Sequence, residues 1–207
     1  MDRQALVSAS VQPGGRPPAP GPLALVQAFV NTVDAEHGPD LLDTRDGLEA
    51  WLQRRGLDDG PVSERDLSAA RDVREALRAL LIDHADRTVY PEEARRLAEA
   101  LDTLDTAAHR ARLTPRFTSR RLESQSGGVD GALGTVLAVA FSAMVDGTWP
   151  RLKACPGHRC GWAFYDRSPA VSATWCSMQI CGGRAKARAY YERRTFRGRN
   201  HRTDAGS

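Results

Sequence analysis

Four cysteines lie in the last quarter of a 207-residue chain, as Cys155-x4-Cys160 and, fifteen residues later, Cys176-x4-Cys181. No other feature restricts the fold as much. Two thiol pairs across a hairpin-sized interval are what a tetrahedral Zn²⁺ site requires. Each pair sits on a tight turn that aims two thiolates at one point, and the interval lets the turns face each other. Two disulfides are the competing reading, but Met1 to Pro22 holds no secretory signal, so the thiols are expected to stay reduced. Four thiolates fill the coordination shell, so one zinc is expected, structural rather than catalytic. His158, inside the first turn, is expected to be exposed rather than a ligand. So small a module has little core, and ligation would supply on the order of 10 kcal/mol of its folding free energy. Trp162 and Phe164 alternate onto one face of a strand between the pairs. They are expected to cover the metal rather than to stack on bases.

Charge is distributed unevenly. Arg151 to Ser207 carries 12 basic and three acidic residues (Asp166, Glu192, Asp204), a net of +9, whereas the first 150 residues carry a net of −6. The asymmetry predicts a basic interaction surface confined to the C-terminal part. A hydrophobic content of 41% still requires a sizeable core. No apolar run reaches the roughly 20 residues of a membrane span, so a cytoplasmic chain without a membrane partner is expected.

The core must come from helices. Residues 1–22 hold five prolines and read as a disordered leader. Leu23, Val26, Phe29, Val30 and Val33 keep helical spacing towards Gly38–Pro39. Asp46 and Glu49 resemble a capping box for a short helix with Leu48, Trp51 and Leu52. Ser63 opens a helix through Leu67, Val73, Leu77 and Leu81, with Arg71 and Glu75 as an i,i+4 pair. Pro91 suits the first turn of the next. Arg116 to Gly128 reads as a loop or short hairpin. Asp130 then caps Ala132 to Val145, which is apolar all round and therefore expected to be central.

The finger's residues resemble a known family. The runs Arg151 to Asp166 (RLKACPGHRCGWAFYD) and Trp175 to Arg188 (WCSMQICGGRAKAR) are similar to the CGNR zinc finger. Ala28 to Asp34 (AFVNTVD) with Leu41 to Leu57 is similar to the helical domain found before that finger, described as a putative stress-induced transcription regulator. The resemblance implies a bacterial, DNA-binding regulator. The signature asparagine is Gly183 here. Both residue types adopt a left-handed backbone readily, so the turn after Cys181 is expected to survive, the lost amide having capped it.

The expected architecture is thus mainly α: a helical domain at 23–147, a four-cysteine module with a short hairpin and basic helix at 151–197, and a flexible tail at 198–207. On that helix, which should run to Gly198, Arg184, Lys186, Arg188, Arg193 and Arg194 are the expected phosphate or base contacts. The alternative is a solvated helix docked on the acidic domain. RNA and a protein partner are the rival occupants of the module. Asn31, Thr32 and Asp34 read as a helix-terminal hydrogen-bond network; the functional alternative makes Asn31 and Asp34 part of a pocket for a small-molecule effector. No phosphate loop, zinc-protease or nucleophile motif is present, and no enzyme is expected.

Overall fold

A computed structural model describes residues 15–34, 38–58, 60–85 and 91–203, with side chains described as far as residue 193. Six helices and two short hairpins follow in the order α1 (Leu23–Val30), α2 (Arg45–Gln53), α3 (Glu64–Asp83), α4 (Pro91–Arg110), β1 (Thr114–Arg116), β2 (Arg121–Glu123), α5 (Gly128–Val145), β3 (Leu152–Ala154), β4 (Ala163–Tyr165) and α6 (Gly183–Thr203). Residues 1–14 of the expected leader and 204–207 of the expected tail lie outside the described residues.

Helix ends differ from the sequence expectation where a polar side chain has a stronger local partner. Thr44 caps α2 by accepting from the Gly47 N–H, which places Asp46 inside the first turn instead of at the cap. Ser63 and Asp66 form a reciprocal capping box at the start of α3. Arg71 does not pair with Glu75: its Nε donates to the Leu42 carbonyl, and Glu75 accepts from Arg74 and Arg78. α5 begins at Gly128, so Asp130 is not its cap but an ion-pair partner of Arg110 at 2.8 Å. α1 stops at Val30, well short of Gly38, and Thr32 folds back to donate to the Phe29 carbonyl. The chain then turns so that Val33 bridges Asp40.

The core lies between α1, α3, α4 and α5. α1 is buried along nearly its whole length, and Phe29 meets Trp51 of α2 edge to face at 5.4 Å. α5 is long and apolar enough to cross a membrane, with a mean hydropathy of 1.7, but 56% of it is buried inside the fold. It is a core helix with one exposed flank, Phe141, Met144 and Val145, and so is not enclosed on every side as its composition predicts.

The same core extends into the cysteine module. β3 and β4 pair antiparallel, with Leu152 opposite Tyr165 and Ala154 opposite Ala163. Leu152, Ala154 and Ala163 join the helical core, while Lys153 and Phe164 point to the other face. Residues 15–22, expected to belong to the leader, run back over this hairpin. Ala19 is buried and donates to Gln27, Pro18 accepts from Arg167, and the Arg16 guanidinium lies 5.1 Å from the Phe164 ring centre.

Candidate metal centre and nucleic-acid interface

β3 delivers Cys155 into a knuckle closed by the Cys160 N–H to the Gly157 carbonyl, 2.9 Å. Gly161 then takes φ +60, a backbone that favours glycine, and an added Cβ would strike the Arg78 guanidinium. The second knuckle is a π-helical turn, Met178–Gly182, whose start is capped by Ser177 accepting from the Ile180 N–H. A Cβ at Gly182 would lie 2.5 Å from the sulfur of the exposed Met178, so a larger residue there requires that flexible side chain to move. Gly183 is a correction: its φ of −62 and ψ of −45 are right-handed helical, and no left-handed turn follows Cys181. A Cβ at Gly183 would meet nothing nearer than a carbonyl at 3.9 Å, so an asparagine fits and the backbone does not require glycine.

The two knuckles bring all four sulfurs within 4.8 Å of one another, with Cys160–Cys176 at 3.6 Å and Cys176–Cys181 at 3.7 Å. A tetrahedron with metal–sulfur bonds of about 2.3 Å has edges of about 3.8 Å, so the cluster already has the size of a Zn²⁺ site. His158 is exposed and outside it. Without a cation the sulfurs cannot all ionise. Hydrogen bonds from the Cys160 and Cys176 thiols hold Cys155 well below the usual thiol range, and that thiolate pushes Cys160 and Cys176 up. Burial and the Cys155 charge raise Cys181. A divalent ion removes this frustration by stabilising every thiolate together. Trp162, Phe164 and the half-buried Ala173 and Trp175 pack around the sulfurs, so the aromatics do cover the metal site.

Between the knuckles lies a polar pin that residue spacing alone does not reveal. Lys153 and Asp166 pair at 2.9 Å with side chains 3% and 1% exposed. The Lys153 ammonium also donates to the Val171 and Ala173 carbonyls, which uses all three protons. Asp166 accepts from the Ser168 and Ala173 N–H groups. The pin folds the interval so that Cys176 returns to Cys155.

The module is welded to the helical domain through backbone groups. Asn31 donates to the Ala163 carbonyl (2.9 Å) and accepts from its N–H (2.7 Å), and Gln27 donates to the same carbonyl. Arg78 donates to Gly161 and Val30, and His84 Nδ1 donates to Leu152 at 2.8 Å. Asn31 is therefore a strut to the finger and not a member of a helix-end network or a pocket wall. Asp34 does not line the cavity found nearby, whose wall includes Val33. Arg74 and Arg78, four apart on α3, are the one legible hint of a buried polar seam. Replacing Asn31 with Ala should cost about 2 kcal/mol in a denaturant melt, because the buried Ala163 N–H loses its acceptor. A loss under about 0.5 kcal/mol, typical of a surface change, would contradict the strut.

α6 leaves the second knuckle directly. Arg184, Lys186, Arg188 and Arg193 are all exposed, whereas the Arg194 side chain lies outside the described residues. The helix does not stop at Gly198 but continues to Thr203. Arg184 and Arg188 meet His158, Trp175 and Pro156 around a small notch of about 70 Å³ beside the cluster, a juxtaposition set by the fold and not by spacing.

The family profile described as putative stress-induced transcription regulator (ABATE) matches residues 23–147, more than half of the chain, and that of the CGNR zinc finger matches residues 151–194. The chain belongs to the ABATE family. Its C-terminal module is a CGNR zinc finger, and Cys155, Cys160, Cys176 and Cys181 are the residues that hold its single structural zinc. No curated protein gives a significant match to this ABATE chain.

Proposed function

We propose that this protein is a bacterial, cytoplasmic transcription regulator that binds DNA through α6. It acts by binding rather than by catalysis. The observation that carries the reading is the exposure of Arg184, Lys186, Arg188 and Arg193 on a helix whose first turn is anchored at the metal cluster. A solvated helix needs no anchor, whereas a helix that must present guanidinium forks to phosphates and guanine edges gains from one. The zinc thus acts as a staple that sets the direction of the basic arm.

Retention of genomic DNA fragments by the zinc-loaded chain, with sequencing of what is kept, tests this reading. A shared motif among the retained fragments supports it. Replacing both Arg184 and Arg188 with Ala should weaken binding and lower the slope of log affinity against log salt by about 2, one for each phosphate no longer neutralised. An unchanged slope would move the interface elsewhere. Tighter retention of structured RNA than of duplex DNA would replace DNA by RNA as the partner.

A further inference from the structure

The first knuckle has two faces. One carries Pro156 and His158 into the notch beside α6. The other closes a cavity of about 720 Å³ against α3 and α4, well within the size of small-molecule sites. Its walls combine apolar groups, Ile82, Leu97 and Pro156, with the guanidiniums of Arg96 and Arg159 from opposite sides. Three acids also line it: Glu75 of α3 is committed to Arg74 and Arg78, Asp83 of α3 and Glu93 of α4 lie on the wall as well, and Arg96 pairs with Glu92 at 3.0 Å. Arg159 forms no ion pair with any described residue.

Arg159 is one of four described non-glycine residues at positive φ, with Arg112, Arg120 and Val171, and of the four it alone lines this cavity. It stands at φ 59 in the turn from Gly157 to Cys160, a position that glycine or asparagine takes without strain. An arginine there is unfavourable for the turn, and its side chain stands on the cavity wall. We propose that the cavity between α3, α4 and the first knuckle is an effector site for a small anionic molecule with an apolar body, and that Arg159 receives the anionic group. Guanidinium forks match carboxylate and phosphate oxygens in pairs, and the apolar wall accepts the remainder. The site deepens the regulatory reading above and rests on it for any consequence at DNA. Its location suits that consequence, because an occupant touches the knuckle whose other face adjoins Arg184 and Arg188.

The test titrates the zinc-loaded full chain with 4-phenylbutyrate and with its neutral counterpart 4-phenylbutanol, by calorimetry and by the shift in melting temperature. The carboxylate should bind one to one and at least tenfold more tightly than the alcohol. Arg159→Gly relieves the turn, so the variant should melt no lower than the parent, yet it should bind the carboxylate at least tenfold more weakly and the alcohol unchanged. Ala79→Phe fills the cavity and should abolish both. Equal binding of acid and alcohol, or undiminished carboxylate binding in both variants, would overturn the site. The same preparation is assayed for DNA retention. Uptake that depends on Arg159 in a chain that retains no DNA would establish the ligand site and remove only the regulatory reading.

Discussion

Replacing Cys176 with Ser in the full chain should free the knuckles and abolish DNA retention, while the helical domain stays folded. The expectation follows from what each part of the finger rests on. The knuckles have only the sulfur cluster, Trp162, Phe164, Ala173 and Trp175 as a core, which is too small to fold unaided. Zinc ligation supplies on the order of 10 kcal/mol in such modules. β3 and β4 are different, because Leu152, Ala154 and Ala163 belong to the helical core and Asn31, Gln27 and Arg78 hold their backbone. Amide exchange should therefore quicken in 155–162 and 174–193 but stay slow in α1, α3 and α5. A strong chelator should reproduce the pattern in the parent chain. Slow exchange in the knuckles after metal removal would show that packing alone holds them.

Lys153→Met should be the most damaging substitution away from the cysteines, at about 3–5 kcal/mol, because it strands the buried Asp166 carboxylate. The Lys153→Met/Asp166→Leu double variant should recover much of that loss, since removing both charges also removes their desolvation penalty. Denaturant midpoints with unchanged slopes would report both. The pin also predicts an acid limit. Burial opposes ionisation of Asp166, but hydrogen bonds from Ser168, Lys153 and the Ser168 and Ala173 amides outweigh it and bring the group to about 2. A carboxyl depressed in the folded state contributes fully above its unfolded value of 3.8, and that stability is lost as pH falls from about 4 to about 2. The parent should thus lose stability across this window and the double variant should lose less. An equal loss in the two would assign the acid sensitivity elsewhere.

The sequence by itself determined the metal ligands, the helical class and the exposed basic helix, because each is written in a local code. The cysteine spacing sets two turns, apolar periodicity sets α1 and α3, a continuous apolar run sets α5, and an alanine–arginine run sets α6. Local codes are less reliable at helix ends. Thr44 displaces Asp46 as a cap because neighbours one or two residues away compete for the same backbone groups, and Gly198 does not stop α6. Gly183 escapes the left-handed expectation because a π-helical turn feeds α6 without a left-handed residue. The rest was decided only in three dimensions. Asn31 meets Ala163 across 132 residues, Arg78 meets Gly161 across 83, and Lys153 finds Asp166 only once β3 and β4 pair. A polar side chain in a sequence shows which hydrogen bonds it needs. Only packing, which removes water and leaves those needs to be met internally, decides where they are met.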